Sequence, residues 1–421
     1  MMMKIALRNK IILIVAIAAA AALLLSLLLY EHYGRGMPVI KIGVLHSLSG
    51  TMATSEAPLV DAIRLAVEEA NRSGGIKGRQ IEMIVSDCRS DAEYCAQQAE
   101  KLITRDDVRA LFGCWTSACR KAVKPMVEKH HHLLFYPLQY EGLEESPDIF
   151  YTGAVPNQQI IPAVIWALQH KLKRFYLIGS DYVFPHTENL IAGEILRANG
   201  GRVLAERYMP LAEKNFSAVA GEIARLKPDA ILNTLNGDSN NHFFSALHKA
   251  GITAESTPVI STSIAEVELA AMDGSLMTGN YAVWSYFQNI DSAENKAFIA
   301  KFKKRFGRDR VLDDPMEASY IGVRMWINAV REAGSADLSL VKTLLKQQSM
   351  RAPEGVVAMD FSNNHLWKTV RIGKARDDGQ FDVVWQSGQP VRPAPFPYYR
   401  SRSAWAAMQQ TGIQQTAGGQ P

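Results

Sequence analysis

The chain has 421 residues, 48% hydrophobic and 21% charged, a length that fits two domains with short additions. Its formal net charge of +4 lies mostly in residues 1–36, which carry +3 through Lys4, Arg8, Lys10 and Arg35 against Glu31. The near-neutral remainder removes the electrostatic case for nucleic acid as a partner.

Ile11 to Leu29 is apolar apart from Ser26 and follows three positive charges. That is close to one membrane span and long for a signal-peptide core. Tyr30, Glu31, His32 and Tyr33 follow without a small-x-small cleavage site, so the reading is an export signal retained as an anchor, with cleavage as the alternative. The preceding charges place the amino terminus in the cytoplasm and the body outside it. No cysteine precedes Cys88, which argues against a lipid-modified anchor.

Val39–Leu45 reads as a buried strand ending in His46, Ser47, Leu48 and Ser49. A helix over 55–71 follows, with Leu59, Ile63, Ala66, Val67 and Ala70 on one face, and stops at SerGlyGly (73–75). Strand 81–85 and helix 92–104 continue the alternation. The runs Leu111–Phe112 and Leu133–Tyr136 then enclose a helical segment carrying Ala122, Val123, Met126 and Val127. After Pro156 the rhythm restarts, with helices 160–169, 187–198, 216–226 and 241–249 between strands 174–178, 203–208, 230–232 and 258–260. The pattern is α/β, with parallel sheets covered by helices, in two units. From Asp291 it turns helical (293–306, 316–333, 338–347). A small antiparallel element over 355–385 and an extended tail beyond 390 close the chain.

Four cysteines, Cys88, Cys95, Cys114 and Cys119, cluster within 32 residues. In an exported chain they are disulfide candidates with three possible full pairings, or buried thiols. Their spacing lacks the two close pairs of a zinc ribbon. Contiguous His130–His132 cannot all face one ion and read as a solvated helix exit. No metal, cofactor or catalytic residue is assigned. No phosphate-cradling glycine loop or nucleophile elbow occurs.

Loops at the carboxyl ends of parallel strands gather ligands. Here they carry Ser47 after the first strand, Trp115, Thr116 and Ser117, then Tyr136, Gln139 and Tyr140. In the second unit the matching places hold Tyr182 and Phe184, then Asn233, Asn236 and Asp238, then Ser261–Ser263. Hydroxyls, amides and aromatic faces at matching ends of two sheets predict a cleft between lobes for a small polar ligand. Trp115, Ser117, Tyr136, Gln139 and Tyr182 are uncharged, so a neutral amide suits them better than an amino acid.

GlyCysTrpThrSer (113–117), LeuLeuPheTyrPro with GlnTyrGluGly (133–142), PheTyrThrGly with ProAsnGlnGln (150–159) and GlySerAspTyr (179–182) together resemble one family. AsnGlyAspSerAsn (236–240), the run 313–322 and AlaProGluGly (352–355) extend the likeness over about 40–392. It is the urea- and short-chain-amide branch of the type I periplasmic binding proteins, which holds urea transporter receptors and a cytoplasmic amide sensor. The resemblance implies two Rossmann-like lobes joined by three crossovers, with the ligand cleft at the hinge. The apolar run 11–29 departs from a lipoprotein signal; two lobes with complete sheets leave no slot to bury such a helix on every side, so it is expected to project from the body. By motif, Trp115, Ser117, Tyr136 and Tyr182 match pocket positions; Phe184 stands where a second tyrosine is usual. The expected division is 1–36 as signal or anchor, 37–155 with 286–350 as one lobe, 156–285 with 351–390 as the other, and 391–421 as tail.

The expected function is a periplasmic receptor that captures urea or a short amide and presents it to an ABC permease. A regulator of amidase expression is the alternative, against which the membrane-length leader argues. An amidase using Cys114 or Cys119 lacks an evident base beside either thiol.

Overall fold

The computed structural model describes Ile14, residues 16–24 and residues 39–417, the side chains of 410–417 excepted. In chain order the first unit runs β1 (Ile40–His46), α1 (Ala53–Arg72), β2 (Ile81–Asp87), α2 (Ala92–Thr104), β3 (Leu111–Gly113), α3 (Ser117–Lys129), β4 (Leu134–Tyr136) and β5 (Ile149–Tyr151). The second runs α4 (Ile160–Gln169), β6 (Arg174–Ser180), α5 (Val183–Ala198), β7 (Arg202–Met209), α6 (Ser217–Leu226), β8 (Ala230–Thr234), α7 (Ser239–Lys249), β9 (Val259–Ser261), α8 (Glu266–Ala271) and β10 (Tyr281–Trp284). There follow α9 (Ala293–Phe306), α10 (Asp314–Ala333), α11 (Leu338–Leu345), β11 (Ser349–Ala352), β12 (Gly355–Met359), β13 (Leu366–Trp367), β14 (Arg371–Ala375), β15 (Phe381–Gln386) and α12 (Arg402–Ala417).

The first sheet is wholly parallel in the order β2-β1-β3-β4-β5. β1 is buried along nearly its whole length, as a strand covered on both faces must be. The second sheet repeats that order as β7-β6-β8-β9-β10 and is then extended by β14 and β15, which run antiparallel. Each parallel part reverses direction at one point, between β1 and β3 and between β6 and β8. Loops leaving the strands there diverge to opposite faces and open a crevice, where such sheets take ligands.

One core joins β1–β5 and their helices to α9, α10 and α11, through Phe298, Phe302, Met316, Trp326 and Leu345. α10 opens on Asp313, whose side chain accepts from the Met316 N–H, and stops at Gly334 in the left-handed conformation. Trp326 on this helix meets Phe112 of β3 edge-on, with ring centroids 6.1 Å apart. Two further clusters cover the faces of the second sheet.

The carboxyl-terminal strands divide differently from the expected single antiparallel element. β11-β12-β13 form a separate small sheet whose Ala352, Val357, Met359 and Leu366 pack into the first core. Val370, Ile372, Ala375 and Phe381 instead pack with the second sheet. The expectation had put 351–390 wholly with the second lobe. The tail is a second correction: α12 stands where extended chain was expected. Its Trp405 is fully buried and donates from Nε1 to the Pro397 carbonyl at 2.9 Å, while Arg402 grips Glu145 with two 2.9 Å bonds. His132 is a third: it is buried between carbonyls of Val108 and Leu133, not solvated, with only His131 of the three exposed.

Of the predicted apolar amino-terminal helix, Ile14 and residues 16–24 are helical and exposed; the rest of 11–29 lies outside the described residues. No described helix is long and apolar enough to cross a membrane.

The chain passes between the sheets three times, after β5, after β10 and between β13 and β14. Buried charges tie these crossings together. Lys368 donates to the Thr152 carbonyl (2.9 Å) and pairs with Glu354 (3.2 Å). Arg371 binds the carbonyls of Ser285 and Glu354, and Asp314 accepts from the N–H groups of Ser285 and Tyr286.

Candidate ligand-binding site

The two crevices face each other. Gly113 lets β3 lie close beside β1: at φ +148°, its absent Cβ would stand 2.0 Å from the Leu45 carbonyl oxygen. The chain turns there through Cys114, whose N–H donates to that same carbonyl, and presents Trp115, Thr116 and Ser117 at the start of α3. Thr116 caps the helix by accepting from the Cys119 N–H at 3.1 Å. From the other unit, the loop at Gly237 comes up against Thr51 and Met52 after β1. Ser55 of α1 donates to Glu268 of α8 at 2.7 Å, so the two units meet across the cleft.

Between them lies a cavity of ≈ 90 Å³ whose walls include Ser47, Glu56, Cys88, Asp91, Thr116, Cys119, Tyr182 and Leu211. Tyr182 and Leu211 belong to the second unit and the rest to the first. Among the described residues no lysine, arginine or histidine lines it. Glu56 is buried there; its Oε2 accepts from the Ser47 N–H (2.8 Å) and faces His46 Nδ1 (3.0 Å). Among the described residues no hydrogen bond reaches its Oε1.

Trp115, Ser117 and Tyr136 form one buried group behind Tyr182. The Tyr136 hydroxyl donates to the Trp115 carbonyl at 2.6 Å. Ser117 donates to Glu141 at 2.5 Å and accepts from Arg120 at 2.9 Å. Arg120, with no exposed side-chain surface, also binds Glu141 and Glu144, each at 2.9 Å, and lies over the rings of Tyr136 and Tyr140. Burial alone would lower its pKa, but the two carboxylates outweigh that and hold it fully charged. Burial likewise pushes Glu144 up, and the charges of Arg120, Lys121 and Lys124 bring it down to about 2. Tyr182 is half-buried in area, and its hydroxyl is held neutral by burial and by nearby Tyr136 and Glu141.

The other expected residues are placed differently. Phe184 is buried beside Tyr182, ring centroids 6.3 Å apart, and is not part of the cavity wall. Gln139 spans the cleft, donating to the Thr262 carbonyl at 2.9 Å. Its Oε1 and the hydroxyls of Thr262 and Ser263 are buried without partners among the described residues. Asp238 is exposed at the start of α7, makes no capping bond and is not part of the cavity wall. Glu56, Arg120, Glu141 and Glu144 were missed by sequence reasoning. A wider depression of ≈ 660 Å³ lies beside α7 at the opposite, amino-terminal ends of β9 and β10, away from both crevices.

Residues 40–402 match the family described as periplasmic binding protein domain. The chain is 23% identical over 355 residues to Leu/Ile/Val-binding protein homolog 6 of Brucella abortus (strain 2308), covering 82% of this chain and 90% of that one. A 124-residue stretch is 38% identical to limonene hydroxylase of Geobacillus stearothermophilus, which spans 30% of this chain but only 23% of that protein. Among solved structures, a solute-binding protein of an ABC transporter from R. palustris, in complex with 4-hydroxybenzoate, superposes with a TM-score of 0.77 at 23% identity, over 84% of this chain and 98% of that one.

Proposed function

The chain belongs to the periplasmic binding protein family, and from that premise we propose that it is an extracytoplasmic receptor for urea or a short aliphatic amide, which it hands to an ABC permease. The observation that carries the ligand class is the small, cation-free cavity. An engineered apolar cavity of about 150 Å³ takes benzene, a six-carbon ring; a cavity of ≈ 90 Å³ is suited to four or five heavy atoms. An amino acid or aromatic acid, such as the relatives' names indicate for those proteins, would bring a carboxylate. Here it would meet Glu56 and Asp91 with no positive side chain in the wall, at a cost of several kcal/mol. A neutral amide offers N–H groups to Glu56 Oε1 and accepts at its carbonyl from a hydroxyl such as that of Thr116 or Tyr182.

Cys114 and Cys119 are bonded to each other, which withholds the thiolate an amidase would need. The chain then serves as a passive receptor, closing around its three crossings. We read the lobes as 37–155 with 286–367 and 156–285 with 368–390.

A thermal-shift panel tests the ligand class: urea, formamide and acetamide should raise the melting temperature, and leucine, glutamate and 4-hydroxybenzoate should not. Stabilisation by the acids alone would overturn it. Within that panel, Glu56→Gln presents an N–H where the ligand's N–H needs an acceptor. Losing such a bond to a charged group costs about 1.5–3 kcal/mol, so urea affinity should fall roughly ten- to a hundredfold. An unchanged affinity in the folded variant would remove Glu56 from the site.

A further inference from the structure

Four sulfurs cluster beside the cavity, two of them in its wall. Cys88 follows β2 and Cys95 lies in the first turns of α2; Cys114 follows β3 and Cys119 lies in the first turn of α3. Cys88 is bonded to Cys95 and Cys114 to Cys119, and all four are buried. The two bridges touch: the sulfurs of Cys119 and Cys95 are 3.3 Å apart without a bond. Those of Cys88, Cys95 and Cys119 lie within 4.8 Å of one another, and Cys114 is bonded to the third. Cys88 and Cys119 also line the ligand cavity.

Around a tetrahedral zinc ion at about 2.3 Å, thiolate sulfurs stand roughly 3.8 Å apart. The three grouped sulfurs already span that scale. The sequence spacing excludes a ribbon of two close pairs, but this cluster is assembled in space from two strand ends and two helix starts. The positive ends of α2 and α3 favour thiolates there.

We propose that, with both disulfides reduced, the four cysteines bind one thiophilic ion of the Zn²⁺ or Cu⁺ kind, and that this metal-thiolate state alternates with the double-disulfide state. A dithiol reductant supplies two electrons and two protons to each bridge and is itself oxidised to a disulfide. The ion then displaces the four thiol protons. Reoxidation by a disulfide donor returns two electrons per bridge to the donor and releases the ion. The receptor thereby carries a redox-gated metal site beside its ligand cavity.

The test uses the full chain, reduced with a phosphine under argon and titrated with Co²⁺. A thiolate-to-cobalt charge-transfer band with tetrahedral d–d absorption should appear, saturate at one ion per chain, and vanish on adding Zn²⁺. The oxidised chain should give none, and Cys95→Ala or Cys119→Ala should weaken cobalt binding at least tenfold. Circular dichroism of the same samples reports the fold. Absence of the band, an equal affinity in the guanidinium-unfolded chain, or loss of the fold on reduction that the ion does not restore would each overturn the proposal.

Discussion

Replacing Arg120 with methionine should destabilise the protein by about 3–5 kcal/mol, because it strands two buried carboxylates without their counter-charge. Arg120 binds Glu141, Glu144 and Ser117 and has no exposed side-chain surface. Lys121 and Lys124 approach Glu144 at 3.3 and 3.7 Å, so Glu144 keeps a partial partner. Glu141 keeps the Ser117 hydroxyl and, as its one cation among the described residues, Lys121 at 4.0 Å. The triple variant Arg120→Met, Glu141→Gln, Glu144→Gln should recover most of the loss, since the penalty lies in the unpaired charges and not in the absence of a bridge. Guanidinium unfolding measures both; urea, as the proposed ligand, is unsuitable as the denaturant. A single variant as stable as the wild type would show that the arginine is dispensable.

Acid should weaken the fold through His365. This ring is fully buried, and its Nδ1 donates to the Asn363 carbonyl at 2.6 Å. Nε2 faces the Tyr140 hydroxyl at 2.6 Å, and that hydroxyl donates to the Glu144 carbonyl at 2.9 Å. Burial is the chief cause that lowers its pKa to about 3, with the Arg120 charge adding to it against the Asn363 bond. The unfolded chain binds a proton below about pH 6.5 that the folded chain refuses. The His365 contribution to stability therefore falls as pH drops from about 6.5 toward 3, by about 1.4 kcal/mol per pH unit. Glu144, at about 2 in the fold, adds a second loss below about pH 4.5. Glu266 acts in the opposite direction: burial raises it to about 8, so its contribution is lost as pH rises from about 4.5 through 8. Burial raises Glu188, Glu268, Asp313, Glu317 and Glu354 too, with the same sign. Between about pH 4.5 and 6.5 the His365 and Glu266 slopes oppose each other. Relative to His365→Gln, the wild type should lose about 2 kcal/mol over that interval, read by guanidinium unfolding at each pH. Parallel profiles for the two proteins would contradict this.

The alternation of strands and helices was legible because most of the parallel strands are short apolar runs and the long helices carry an apolar stripe; β5, three residues long, was not named. β10 was not: TyrAlaValTrp is four residues long and depends on pairing with β14, far away in sequence. α12 escaped for a similar reason, since Trp405, Met408 and the Arg402–Glu145 pair dock a segment otherwise made mostly of alanine and glutamine. In the site, the loops bearing Trp115, Ser117 and Tyr182 could be placed from the ends of strands. Glu56 and Arg120 carried a signal that went unread. Each occupies an apolar stripe, Glu56 three residues before Leu59 and Arg120 three before Val123, so each had to be buried with a partner. Glu141 and Glu144 sit in a loop whose burial only the packed structure reveals. Asp238 was picked out by loop position alone, and that position turned it to solvent.

Isothermal titration of the folded chain tests the ligand assignment most directly. At a ceiling of about −1.5 kcal/mol per heavy atom, four-atom urea reaches about −6 kcal/mol, a Kd on the order of tens of micromolar. The account predicts one saturable site for urea or acetamide in that range or weaker, and no heat of binding with leucine or 4-hydroxybenzoate. Tight binding of leucine or of the aromatic acid, with no response to any amide, would contradict it.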